Sequence, residues 1–342
     1  MRLIEPLGLC HGPAAAESLA AGLALPLPGG AAFSLAKLID RPGHEDRVLP
    51  ATDIPPDWRG VLGRLQTAPP PWAGLSADRG AVMGILNVTP DSFSDGGRHA
   101  DAQAAVAAGQ AMAAAGADLI DIGGESTRPG SVPVAPAAEQ ARILPVIRAL
   151  AGGPPISVDT RNASTMAAAL GAGAAIINDV SALAHDPRAA GIVAEAGCPV
   201  VLMHMRGTPQ TMHRHAGYDD VAVTVTEDLA GRVAAAERAG IDPARIAIDP
   251  GFGFAKDGAD NLALLRRLSL LRNLGSCILV GVSRKRFLGD AVGEGKPSRR
   301  LPAALAAAVL ALERGGAILR VHDVGATVQA LRLWRAVQSG RR

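Results

Sequence analysis

The chain is poor in cysteine. Cys10, Cys198 and Cys277 are the only three in 342 residues, and none stands at paired spacing. That argues against a disulfide framework and a thiolate zinc site, and a reducing, cytoplasmic setting is expected. Aromatics are scarce at 3%, so a chain that is 48% hydrophobic must build its core from Ala, Leu, Ile and Val. Neither sign of charge is in excess. A formal net charge of +2 gives no reason to expect nucleic acid or an anionic membrane as partner. Long apolar runs are missing too. The longest, residues 303–312, falls short of the roughly 18 residues of a membrane span. It is flanked by Arg299, Arg300, Glu313 and Arg314 and reads as a core helix. The start, Met1-Arg2-Leu3-Ile4-Glu5-Pro6, lacks the apolar segment of a signal peptide. No G-x-G-x-x-G follows a strand, so the dinucleotide fingerprint is absent.

What is present is a repeated unit. In Met83-Gly84-Ile85-Leu86-Asn87-Val88-Thr89-Pro90 an apolar strand ends at Asn87, and Pro90 stops pairing because it has no N–H to donate. A polar loop with Gly96 and Gly97 follows, then an Ala-rich helix pattern. The layout recurs seven times. Further strands are expected at 118–122, 156–158, 175–177, 199–203, 245–248, 277–280 and 317–319, each followed by a helical pattern. Eight such units in about 260 residues predict an α/β fold, a (β/α)8 TIM barrel over residues 80–342. A doubly wound open sheet is the competing architecture. It rarely uses eight strict repeats.

Residues 1–79 differ, being rich in Pro and Gly. A strand at 33–39, a turn at Asp40-Arg41-Pro42-Gly43 and a return strand at 47–49 predict a small appended β-hairpin. A short helix at 55–66 and a stiff linker, Thr67-Ala68-Pro69-Pro70-Pro71, complete the extension. A separate binding module is the alternative. No chemistry is visible in it, and it is expected to be dispensable for catalysis.

A barrel brings its strand ends to one mouth, which gathers Asn87, Glu125, Asp159, Asn178, His204, Asp249, Lys285 and His322. Any one of these alone reads as a loop residue or helix cap. Eight together are harder to dismiss, because each buried polar group costs about 1–3 kcal/mol if unpaired. Asp159, Asn178 and Asp249 form an acceptor arc that suits a flat heterocycle with ring N–H and amino donors. Arg320, His322, Asn87 and Arg128 form a donor arc that suits phosphate or diphosphate. Asn87 also offers a carbonyl oxygen to Mg²⁺, and Lys285 bridges the arcs. Met203 suits a ring face. His204 has no partner at metal-ligand spacing and is read as orienting its loop. Arg320, at the mouth, is expected to be removable with the fold nearly intact.

Eight motifs, taken in order, resemble dihydropteroate synthases. They are the stretch 83–97, Gly123-Gly124-Glu125-Ser126-Thr127-Arg128-Pro129-Gly130, Ser157-Val158-Asp159-Thr160, Ile177-Asn178-Asp179, Leu202-Met203-His204-Met205, Asp249-Pro250-Gly251-Phe252-Gly253-Phe254, Ser283-Arg284-Lys285 and Arg320-Val321-His322-Asp323. The match covers roughly residues 80–338. Ala255 stands where the family often has a further glycine, and residues 1–79 lie outside the shared core. The resemblance implies condensation of (7,8-dihydropterin-6-yl)methyl diphosphate with 4-aminobenzoate, giving 7,8-dihydropteroate and diphosphate in folate synthesis. It implies that Asp159, Asn178, Asp249 and Lys285 hold the pterin. Asn87 would meet Mg²⁺, and Arg320 and His322 would hold the diphosphate beside Thr127. Thr127, Pro129, Phe254 and Ser283 would shape the 4-aminobenzoate pocket, with Phe93 near it. Asp249, Lys285, Arg320 and His322 are the catalytic candidates. Small-molecule substrates are the expected partners, in a homodimer. Two rivals stand beside this reading: a corrinoid-linked methyltransferase, which has no need for Arg320 or His322, and an inactive pterin-binding paralogue.

Overall fold

Strand parity decides the architecture. The structure, a computed structural model, describes residues 1–41, 45–89, 97–126, 131–208 and 210–339. Eight short strands alternate with helices: β5 (Ala81–Asn87), β6 (Leu119–Gly123), β7 (Ile156–Asp159), β8 (Ile176–Asp179), β9 (Val200–Met203), β10 (Ile246–Asp249), β11 (Cys277–Val280) and β12 (Ile318–Val321). Each pairs in parallel with its neighbours, and β12 closes on β5. The expected eight-stranded barrel is therefore present.

Side chains alternate along each strand. One set, including Val82, Ile177, Val200, Leu202, Ile246, Ile248, Val280 and Leu319, packs outward against the helices. The other set fills the barrel. Its lower layers contain Ala81, Met83, Leu119, Ile176, Val201, Ala247, Cys277, Leu279 and Ile318. The same parity continued upward reaches Asn87, Asp121, Gly123, Ser157, Asp159, Asn178, Met203, Asp249 and Arg320. Polar groups therefore occupy the top of the barrel and apolar groups its base, as expected where catalysis sits at the C-terminal strand ends. The enclosing helices are α3 (Gly97–Ala114), α4 (Pro136–Leu150), α5 (Ala163–Gly171), α6 (Ala189–Ala196), α7 (Val221–Arg238), α8 (Gly258–Arg266), α9 (Arg286–Val292), α10 (Leu301–Glu313) and α11 (Val324–Ser339). No described helix is long and apolar enough to cross a membrane.

The extension exceeds the expected hairpin. The hairpin exists, as β3 (Ala31–Asp40) against β4 (Glu45–Pro50), but it is half of a four-stranded antiparallel sheet with β1 (Arg2–His11) and β2 (Leu25–Leu27). Helices α1 (Gly12–Ala20) and α2 (Arg59–Gln66) flank it. Pro6 and Gly8 hide β1 in the sequence, because both residues are depleted in strands. Pro6 is tolerated there because β1 is an edge strand.

This sheet is bonded to the barrel. Asn273, in the 3-10 segment Leu268–Leu274, both donates to the Ile4 carbonyl (2.8 Å) and accepts from its N–H (3.0 Å). Arg267 grips Glu5 through two hydrogen bonds, of 2.8 and 2.7 Å, and also reaches Asp220 at 2.7 Å. Asp220 is the N-cap of α7. After the proline run, Trp72 and Leu75 form a tight bridge at the barrel base. Trp72 is 1% exposed, packs on the lowest inner layer, and donates its indole N–H to the Arg245 carbonyl at 2.9 Å. The stretch read as a linker thus delivers a plug.

Candidate active site

Asp121 is the centre of the mouth, and it sits one step below the strand ends. It is 0% exposed. Ser157 donates to one of its oxygens at 2.6 Å, while Asn178 Nδ2 (3.1 Å) and Arg320 Nε (2.6 Å) donate to the other. Arg320 Nη2 also reaches Asp159 at 2.7 Å. A buried carboxylate of this kind needs such partners, since an isolated charge would carry a large desolvation penalty. Burial holds the Arg320 pKa down, but Asp121 and Asp159 outweigh it and raise it overall. Burial pushes Asp159 up to about 7, against the pull of Arg320.

The network fixes the Asn178 amide. Its nitrogen is spent on Asp121, so Oδ1 is the atom left for a ligand, as an acceptor. That is the orientation an acceptor arc requires. Asp249 is treated similarly. Its Oδ1 accepts the Gly251 N–H at 2.7 Å, which leaves Oδ2. Burial raises the Asp249 pKa, and the Gly251 hydrogen bond and Lys285 counter it. Gly251 has φ +68°, and a β-carbon there would collide with the His204 carbonyl oxygen. Only glycine lets the chain turn back beneath Asp249.

One cleft is lined by Asp159, Asn178, Met203, Asp249, Phe254, Lys285 and Arg320, with Val180, Gly251, Phe252 and Gly281. Lys285 Nζ lies 4.3 Å from the Phe254 ring centroid, a cation–π contact. Burial lowers its pKa to about 8, opposed by Asp249. The acceptor arc and Lys285 are therefore brought together. Arg320, assigned by sequence to the donor arc, stands within the acceptor arc as well and is held by two carboxylates.

His322 and Ser283 meet beside this cleft. The His322 backbone N–H donates to Ser283 Oγ (3.2 Å), and its ring Nδ1 lies 3.1 Å from the same atom. Burial, with Arg284 and Arg320 nearby, pushes the imidazole down to about 4. In the free protein it is neutral near pH 7. Arg284, at φ +59°, grips Asp323 through two bonds of 3.1 and 2.7 Å and ties the loop after β11 to that after β12.

Two expected mouth residues have other employment. Glu125 accepts two hydrogen bonds from Arg161 (3.1 and 2.9 Å) and one from the Val134 N–H, anchoring the loop after β6. His204 points to Asp228 (3.0 Å) through Nε2 and to Lys256 Nζ (2.9 Å) through Nδ1. Lys256 also donates to the carbonyls of Gly251 and Phe254, both at 3.0 Å. Three donors meet three acceptors, which locks the segment carrying Phe254. Lys256→Met takes the donor from the Phe254 carbonyl and from His204 Nδ1, a cost of about 1–3 kcal/mol each, while the Gly251 carbonyl keeps the Phe254 N–H. We expect a lower thermal midpoint and a raised KM for both substrates, read by steady-state kinetics. An unchanged KM would free that segment from Lys256.

Asn87 ends β5 with its Oδ1 near Gly123 and Asp159, at the rim. No cluster of three or more His, Cys, Asp or Glu suited to a metal occurs among the described residues. A lone amide oxygen fits Mg²⁺ that takes most of its ligands from phosphate and water, and fits no all-protein cage. Phe93, Thr127, Arg128 and Pro129 lie outside the described residues. Asp121, Ser157 and Lys256 were missed by the sequence reading of the site. Parity would have found the first two, since Asp121 lies two residues before inward-facing Gly123, and Ser157 two before Asp159. Lys256 has no signal of that kind.

The pterin binding enzyme family model matches residues 83–322. The dihydropteroate synthase of Escherichia coli (strain K12) is 45% identical over 262 residues, 76% of this chain and 92% of that protein. The Xanthomonas albilineans dihydropteroate synthase solved with 4-aminobenzoic acid is 51% identical with a TM-score of 0.75, covering 80% of this chain and 100% of that one. The structure of the enzyme from that organism with 7,8-dihydropteroate is 49% identical, TM-score 0.70, over 78% and 97% of the two chains.

Proposed function

The chain belongs to the pterin binding enzyme family, and from that premise we infer how its mouth carries out the reaction of a dihydropteroate synthase. (7,8-Dihydropterin-6-yl)methyl diphosphate and 4-aminobenzoate give 7,8-dihydropteroate and diphosphate. The C–O bond to diphosphate breaks, the C–N bond to the aryl amine forms, and one proton leaves the nitrogen.

The observation that carries the residue roles is the acceptor geometry of the cleft. Asn178 Oδ1 and Asp249 Oδ2 are the atoms left after Asp121 and Gly251 have taken their neighbours. They suit the ring N–H and amino donors of a pterin. Met203 lies against the ring face, and Asp159 and Lys285 close the sides. As diphosphate departs, the electron-rich ring delocalises the methylene cation, and the Asp249 carboxylate stabilises it. Arg320 and His322 face the leaving group, and such preorganised electrostatics usually supply the largest catalytic term. Phe254 and Ser283 receive 4-aminobenzoate, with Thr127, Pro129 and Phe93 completing its walls and Arg128 adding to the anion arc. Mg²⁺ held through Asn87 would supply further neutralisation of diphosphate charge. No side chain needs to act as a covalent nucleophile. Enzyme dimers in the cytoplasm complete the reading.

The test is diphosphate release by the purified protein. Release should require both substrates and fall on chelation of divalent metal. Release with the pterin substrate alone, or none with both, would leave a pterin-binding protein of another kind. Asp249→Asn presents an amide nitrogen or a weaker acceptor to the ring donors. Pterin affinity should fall by about 2 kcal/mol or more. Unchanged affinity by calorimetric titration would move the ring elsewhere.

A further inference from the structure

A second cleft lies at the base of the barrel, where the extension meets the N-terminal ends of β11 and β12. It is bounded by His11 and Leu65 of the extension and by Arg272, Ile278, Leu312 and Trp334 of the barrel, and it opens to solvent. The mechanism uses none of these residues.

The cleft holds a cation that no carboxylate pairs. Arg272 Nε is shut away from solvent with no hydrogen-bond partner, and so is the indole N–H of Trp334. Other enclosed arginines are answered. Arg267 has Glu5 and Asp220, Arg320 has Asp121 and Asp159, and Arg300 has the carbonyls of Glu294, Arg284 and Gly295. No ion pair among the described residues includes Arg272. Burial lowers its pKa to about 10, with no carboxylate raising it. Asp78 also lines the cleft, where one of its oxygens accepts the Ser76 hydroxyl, but it forms no ion pair with Arg272. Glu313 lies 3.9 Å from Arg314. Gly315, at φ +101°, gives Arg272 its room, since a β-carbon there would strike Nε.

Arg272 is half-buried and lines the cleft, so the rest of its guanidinium stays in reach of a ligand there, and its charge has no ion-pair partner. A half-buried guanidinium without a counter-charge is costly, and a neutral water does not cancel that charge. We propose that the basal cleft is a binding site for a small oxyanion, a carboxylate or phosphate group, held by the Arg272 guanidinium. The planar fork suits two oxygens, and Leu65, Ile278 and Leu312 offer an apolar wall to a short organic tail. Because both the extension and the barrel line the site, the ligand would fasten one to the other. It would stabilise the folded chain by mass action.

Thermal unfolding of the full chain tests this. Sodium butyrate and inorganic phosphate are titrated separately at constant ionic strength set with chloride, against wild type and Arg272→Met. Anion binding at the mouth occurs in both proteins and cancels in the difference. The expected result is a saturable rise in Tm with at least one anion in wild type that is lost in Arg272→Met. Butyrate as the effective anion would identify a carboxylate source, and phosphate a phosphate source. In chloride alone Arg272→Met should melt no lower than wild type, because it removes an uncompensated charge. Arg272→Lys keeps the charge and loses the fork, and should raise the half-saturating concentration about tenfold. Equal responses in wild type and both variants, or no response to either anion, would overturn the proposal and leave a cleft holding water only.

Discussion

Arg320→Ala is expected to remove turnover and weaken the fold together. Sequence placed Arg320 at the rim, where its loss should spare folding. The structure corrects this, because its guanidinium answers Asp121, 0% exposed, and Asp159. Removing one partner of a buried pair costs about 3–5 kcal/mol, since the abandoned carboxylates stay behind. Catalysis should fall as well, by roughly 2–4 kcal/mol in kcat/KM, from lost stabilisation of the departing diphosphate. The two losses are separable. Adding Asp121→Asn to Arg320→Ala removes a stranded charge and should restore part of the stability while leaving diphosphate release low. Urea denaturation and a release assay on both proteins measure this. A single variant as stable as wild type would show that Arg320 does not hold the mouth together.

Trp72→Ala should give a comparable loss of stability with the opposite signature. Its ring closes the lowest inner layer and its N–H satisfies Arg245. Truncating a buried tryptophan costs about 3–5 kcal/mol. The site is at the other end of the barrel, so kcat and KM measured well below the new melting temperature should stay near wild type. Trp72→Phe should recover most of the lost stability. A chain beginning at Arg79 loses this plug and exposes the Ile4–Asn273 seam, so it should unfold more readily. The extension, expected to be dispensable for catalysis, is thus expected to matter for stability. A Trp72→Ala protein with an unchanged denaturation midpoint would show that the base closes without it.

The barrel was legible because eight strand–loop–helix units each repeat one pattern, with polar residues such as Asn87, Asp159 and Asp249 at the strand ends. Those positions also revealed the acceptor arc. Asp121 lies below the strand ends, and its chemistry depends on Ser157, Asn178 and Arg320 from three other strands. Such a network is built by closure of the barrel, and no local pattern announces it. The Lys256–His204–Asp228 chain is similar, as its members come from three separate segments. The sheet of the extension was only half legible. Pro6, Gly8 and Pro26 contradict strand propensity, and β1 and β2 persist because they lie on edges paired to β3.

The turn at Gly251 bears on how the protein could escape an inhibitor. Its backbone is left-handed, its N–H is spent on Asp249, and a side chain there would strike the His204 carbonyl. A compound pressed against this turn would meet a wall that substitution cannot thicken without unseating Asp249. Positions without such a clash can take a larger side chain at lower cost. Compounds anchored low, on Asn178, Asp249 and the Gly251 turn, should therefore select resistance mutations more slowly than compounds that rely on the rim.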